Sequence, residues 1–266
     1  MGVTRITVLG GGVMGEALIA GLLQLDPAPS ITVVEMRADR ALELTDRYGI
    51  HSAAASTAVI DADVIIAAVK PQQMREALTE IASAVSESAL VISIAAGITT
   101  AFISELIPQA AVVRAMPNTP ARIQRGVIGI SAGTSCGPEQ FEQAAVLLGA
   151  VGLVLEISED LQDAITATSG SGPAYVFYLA EAMMRGAQDA GLTAGDARAA
   201  VVQTLLGSAE LLAATEESPE ALRTNVTSPN GTTAAAIEVL NEQAVGDAIV
   251  RAMMAARDRS QELARS

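Results

Sequence analysis

The chain has 266 residues, with one cysteine, one histidine, one lysine and no tryptophan, and each scarcity removes a class of chemistry. With Cys136 alone, no intrachain disulfide and no cysteine-based zinc site can form, which points to a reducing, cytoplasmic setting, and nothing in the sequence predicts a metal site. Clustered Lys and Arg are missing and the formal charge is −14, so no nucleic acid is expected as a partner. Charges or glycines interrupt the apolar stretches well short of a membrane span, and no membrane association is expected. Residues 3–25 imitate a secretory leader only superficially, because Glu16 and several glycines break them and a helical period runs on. The lone His51 and Lys70 both fall in the first half. From Leu161 onward there is neither, so the side chains that most often serve as base in alcohol and hydroxyacid dehydrogenases are nearly gone. His51, after Tyr48-Gly49-Ile50, reads as a solvated loop residue.

What is abundant is apolar: half the residues are hydrophobic and 17% are charged, enough for two substantial cores. Up to about Ile157, short β-branched runs alternate with helical periods, the signature of β-α repeats around a parallel sheet. Strands are expected at Arg5–Leu9, Ile31–Glu35, Val64–Val69, Leu90–Ile94, Val112–Ala115, Val127–Ser131 and Gly152–Ile157. Helices are expected near Val13–Leu25, Arg40–Tyr48, Gln72–Val85 and Pro138–Leu148. Beyond Leu161 the pattern changes to long helical runs: Pro173–Asp189, Ala194–Ala214, Pro219–Val226, Thr233–Asn241 and Ala244–Leu263. The expected organisation is therefore an α/β domain over residues 1–157 and an all-helical domain over residues 158–266. Its many Ala and Gly residues let helices approach closely, and a second copy of the chain can complete its core.

Gly10-Gly11-Gly12-Val13-Met14-Gly15 fits G-x-G-x-x-G between the first strand and the first helix. In that context it reads as a dinucleotide cradle of the Rossmann type. Gly10 makes the turn, Gly12 lets a pyrophosphate approach the backbone around Val13 and Met14, and Gly15 lets helix and strand pack. Glu35, twenty residues past Gly15 at the end of the second strand, can bind both ribose hydroxyls of NADH and would repel the 2′-phosphate of NADPH. Arg37 and Arg40 follow at once and can neutralise such a phosphate, so the lean is to NADH with NADPH open. Ala68-Val69-Lys70-Pro71 and Ala95-Ala96-Gly97 leave two further strand ends, where small residues allow a flat nicotinamide to lie against backbone; plain turn geometry is the alternative.

Near the C-terminus, Ser228-Pro229-Asn230-Gly231-Thr232-Thr233 sets hydroxyls and a flexible backbone ahead of a helical run. A helix start leaves N–H groups unpaired and carries partial positive charge, so a carboxylate docks there; an ordinary cap is the competing reading. A cradle for a hydride donor, joined to a half almost devoid of bases, suits reduction of a C=N bond already protonated. Hydride then adds to carbon with no strong base required, and a hydroxyl such as that of Thr233 can bond the nitrogen.

These motifs, together with Arg114-Ala115-Met116-Pro117-Asn118-Thr119-Pro120 and Ser169-Gly170-Ser171-Gly172-Pro173-Ala174-Tyr175, make the chain resemble the pyrroline-5-carboxylate reductases over essentially its whole length. The resemblance implies reduction of 1-pyrroline-5-carboxylate to proline with NAD(P)H. It also implies a helical domain that dimerises by interlacing helices, with dimers often assembled into a ring. Carried over by position, Thr233 would hydrogen-bond the ring nitrogen, Ser228, Gly231 and Thr232 would hold the carboxylate, and Glu216 would stand near the substrate. Two positions depart from the family pattern: Asn230 replaces a second glycine, and Ala55 replaces an asparagine near the adenosine. A related imine or β-hydroxyacid reductase, or a protein that binds NAD(H) only to sense it, are the competing readings.

Overall fold

A computed structural model describes residues 3–265. The first half builds one eight-stranded sheet from β1 (Arg5–Leu9), β2 (Ser30–Val34), β3 (His51–Ser52), β4 (Val64–Ala67), β5 (Leu90–Ser93), β6 (Ala111–Met116), β7 (Gly126–Ala132) and β8 (Gly152–Glu156). Its order is β3-β2-β1-β4-β5-β6-β7-β8, parallel throughout except where β6 meets β7. The expected all-parallel sheet therefore needs correction at that pair. Residues 117–125 are too few to carry a crossover, so the chain must turn back antiparallel, and β8 then runs parallel to β7 after a helix.

Continuous apolar runs explain the central strands, since β4 and β5 are buried along their whole length between helical layers. On one face α1 (Val13–Leu22), α2 (Ala38–Tyr48) and α6 (Pro138–Gly149) cover Ile6, Val8, Val33, Ile66, Ile92 and Val113. On the other, α3 (Ala55–Ala58), α4 (Met74–Ile81) and α5 (Thr100–Leu106) cover Ile65, Val91 and Val112. The sequence reading contains neither α3 nor α5, both under eight residues; α5 starts where the Thr99 hydroxyl accepts from the Phe102 N–H, a cap within one turn. His51 sits in the two-residue edge strand β3 rather than in a loop, and it is exposed as expected.

Two compact units emerge, one of residues 1–171 with 256–266, the other Gly172–Ala255. Residues 158–171, comprising a 3₁₀ turn, α7 (Gln162–Ile165) and a π-turn over Thr166–Gly170, are bound to the sheet by polar contacts. Glu159 accepts from the N–H (2.8 Å) and hydroxyl (2.6 Å) of Thr100, and Gln162 Nε2 donates to Gly129 O and to Ser131 Oγ. Asn118, buried, links Ser169 O to the Val127 N–H. The end of α12 (Val245–Arg265) returns to this unit: the Ser260 hydroxyl donates to Asp163 at 2.6 Å.

The other unit holds α8 (Gly172–Asp189), α9 (Ala194–Ala214), α10 (Pro219–Asn225), α11 (Thr232–Glu242) and the first part of α12. Ala197 and Val201 are its buried hydrophobic residues, while Phe177 is 62% exposed, Tyr178 76%, Leu206 51% and Val226 65%. Phe177 and Tyr178 are therefore not helix core within one chain. An apolar surface of this extent marks an interface.

Candidate functional site

The cradle forms where the strand order reverses, between β1 and β4. There the carboxyl ends of β2, β1, β4 and β5 lie side by side, carrying Glu35, Gly10–Gly15, Ala68–Pro71 and Ala95–Gly97. The turns are laced to their neighbours: Gly10 N–H donates to Val34 O, Ala68 N–H to Leu9 O and Ile94 N–H to Ala67 O. Gly10 is left-handed with φ 102°, and a Cβ on it would lie 2.8 Å from Ala68 O. One on Gly15 would run into Gly10 O. Around Gly12 there is nothing within 4 Å, and no side chain caps α1. Open space beside unpaired N–H groups at Val13, Met14 and Gly15 suits a diphosphate. Lys70 and Pro71 start a short 3₁₀ turn and are exposed. Gly97 has φ 76°, and a Cβ there would lie 3.4 Å from the backbone of Ala264. Ala55 is buried in the core beneath α4 and offers no polar group.

The glycine that sequence reading passed over is Gly11. Its N–H donates to Glu35 Oε2 at 3.0 Å, and its carbonyl accepts from Arg40 Nε at 2.9 Å. The other oxygen of Glu35 accepts from the Arg37 N–H at 3.0 Å, and the Arg37 side chain is exposed. Arg40 is committed elsewhere as well, to Glu16 and, at 2.7 Å, to Glu43. Glu16 also accepts from Arg47 (2.6 Å) and the Tyr48 hydroxyl (2.9 Å), so α2 is clamped onto α1. Burial alone would raise the Glu16 carboxyl, but the hydrogen bonds from Arg40, Tyr48 and Arg47 outweigh it and hold it below its ordinary value.

That shift has a pH consequence. A carboxyl whose folded pKa is depressed stabilises the fold fully above its unfolded value, near 4.5, and this contribution fades as pH falls through the folded value. Urea midpoints are expected to be flat from pH 8 to 6 and to drop below about pH 4.5, less steeply in Glu16→Gln. An equal acid loss in that variant would mean Glu16 contributes nothing to it.

In the helical unit Ser228, Gly231, Thr232 and Thr233 lie in one turn. Gly231 N–H donates to Ser228 O at 3.0 Å, with Pro229 second and Asn230, at φ 58°, third, the pattern of a type II turn. Asn230 thus takes the left-handed position that favours glycine, which asparagine tolerates well. A Cβ on Gly231 would meet the Ser228 hydroxyl, which would have to rotate away, and would lie 3.1 Å from Ser228 O. Gly231 then caps α11 with no side-chain hydrogen bond, in contrast to Thr193 on α9 and Ser218 on α10. Among the described residues no side chain caps the α11 start, which lies beside the hydroxyls of Ser228, Thr232 and Thr233. An open groove of about 630 Å³ continues along α11 past Asn230, Ala234 and Glu238. Glu216 is exposed between α9 and α10, and it is the next residue, Glu217, that accepts from Asn225 at 2.9 Å.

Residues 159–263 match the family described as pyrroline-5-carboxylate reductase dimerisation, and residues 5–97 match that of NADP oxidoreductase, coenzyme F420-dependent. A pyrroline-5-carboxylate reductase of Corynebacterium melassecola is 41% identical, with 98% of each chain covered. One from Synechocystis is 41% identical over 97% of this chain and 98% of its own. The solved pyrroline-5-carboxylate reductase of Coxiella burnetii superposes with a TM-score of 0.92 at 37% identity, covering 98% of this chain and 99% of that one. No helix among the described residues is long and apolar enough to cross a membrane.

Proposed function

This chain belongs to the pyrroline-5-carboxylate reductase family, and we propose on that premise that it reduces 1-pyrroline-5-carboxylate to proline with NAD(P)H, the last step in making that amino acid. The observation that carries the substrate site is the α11 start, left without a side-chain cap beside three hydroxyls. Ser228, Thr232 and the N–H groups following Gly231 hold the carboxylate, where helix-end charge and hydrogen bonds act together. This fixes the ring by its one permanent anion. Glu216, exposed after α9, stands near the ring.

A nicotinamide bound at the cradle would supply hydride to the C=N carbon. Thr233 Oγ accepts from the protonated ring nitrogen, then donates to the amine once its lone pair returns. Because the nitrogen arrives protonated, the site needs no lysine or histidine, in keeping with a helical half that has neither. Ala95, Ala96 and Gly97, with Ala68 and Val69, give the nicotinamide a flat wall of backbone, and the cradle at Gly10–Gly15 holds the diphosphate.

Residues 158–266 serve as the substrate-binding and dimerising half; pairing covers the apolar faces of α8, α9 and α12, and dimers join into a ring. Sedimentation is expected to give a multiple of the dimer mass.

NADH is the favoured cofactor because Glu35 meets the adenosine ribose. Glu35→Ala is expected to weaken NADH by about tenfold and NADPH by less, the loss of one charged hydrogen bond to a hydroxyl. Equal losses would mean that Glu35 serves only to hold Gly11. The reaction itself is tested by following NADH and NADPH oxidation with 1-pyrroline-5-carboxylate and identifying proline. A folded protein that binds NADH but oxidises none would point to another cyclic imine or to a sensor.

A further inference from the structure

Arg40 and Glu35, the ribose-reading carboxylate, grip the two ends of a single residue, Gly11. Each of the three guanidinium nitrogens of Arg40 has a partner: Nε donates to Gly11 O, Nη1 to Glu43 and Nη2 to Glu16. The side chain is only 13% exposed, and Glu16, 21% exposed, anchors it from α1. The four paired charges of Glu16, Glu43, Arg40 and Arg47 sum to zero.

We propose that the Glu16–Arg40 pair is a specificity determinant for the dinucleotide: by holding Arg40 on the glycine turn, Glu16 keeps that cation from a 2′-phosphate and leaves the ribose to Glu35. Two independent roles meet in Arg40. Its bond to Gly11 O fixes the turn for any dinucleotide, whereas its pairing with Glu16 decides what the 2′ position meets. Neutralising Glu16 removes Arg40's anchor on α1 and leaves one uncancelled positive charge close to the ribose, and both changes favour a phosphate. The proposal rests on the assignment of the cradle as a dinucleotide site and deepens the cofactor reading at Glu35.

The test measures dissociation constants of NAD⁺ and NADP⁺ by calorimetry on the intact protein, with no turnover involved. Glu16→Gln keeps an acceptor for Tyr48 and is expected to shift the ratio of the two constants about tenfold toward NADP⁺. Arg40→Met is expected to weaken both nucleotides alike, and the double variant to lose the shift, which assigns the gain to Arg40. If Glu16→Gln does not fold, Glu43→Gln neutralises Arg40's other carboxylate partner and is expected to move the ratio in the same direction by a smaller factor. An unchanged ratio, or equal weakening of both nucleotides in Glu16→Gln, would overturn the proposal and leave the pair a helix clamp. Glu35→Ala, run in parallel, separates the two ideas: an unmoved ratio there removes the ribose reading, whatever Glu16→Gln does.

Discussion

Gly12→Ala is expected to leave the protein folded and about as stable as before while reducing dinucleotide affinity at least about tenfold. The backbone of Gly12, at φ −66° and ψ −175°, is open to any residue, and a Cβ there would meet nothing within 4 Å. Removing a glycine's freedom in the unfolded chain stabilises by about 0.4–1 kcal/mol, and alanine is a poorer N-cap by a similar amount, so the two offset. On the proposed cradle the diphosphate crosses Gly12, and a methyl group there would hold it off the α1 donors. Thermal unfolding and NADH titration of the same sample check both halves. Unchanged affinity would mean that the diphosphate does not cross Gly12. The contrast is with Gly10 and Gly15, where the added carbon strikes backbone and the fold itself must shift.

Thr233→Ala is expected to lower kcat by about 10- to 100-fold with a small change in KM, the effect of one hydrogen bond that strengthens as the ring nitrogen changes charge. The hydroxyl stands in the first turn of α11, where no described side chain caps the helix. Its loss therefore removes no hydrogen bond that holds the described fold. A KM effect with kcat preserved would move Thr233 to the carboxylate; an unchanged rate would remove it from the chemistry.

Elements whose cause is local were legible. β4 and β5 read as strands because burial on both faces leaves an unbroken apolar run, and the caps Thr193 and Ser218 mark the starts of α9 and α10. The glycine turn was legible for the same reason, its three roles being set within six residues. Short, weakly patterned pieces were not: β3 is two exposed polar residues, and α5 has seven residues. The reversal at β7 was legible in principle, because a nine-residue connection cannot cross over, but strand periodicity carries no direction. Residues 158–171 gave no regular period, and their place on the sheet depends on Glu159 and Gln162 reaching residues 31 to 59 positions away.

By itself the sequence determined the two-part plan, the dinucleotide cradle, the turn at Ser228 to Thr233 and the reductase family, because each is written in residues adjacent along the chain. Only the tertiary structure decided that Gly11 is gripped from both ends, that Arg40 is held by Glu16 and Glu43, and that α11 begins without a side-chain cap. It also decided that the helical unit leaves Phe177, Leu206 and Val226 uncovered. Those facts turn on which of several eligible partners a side chain meets, and folding chooses among them by geometry and burial.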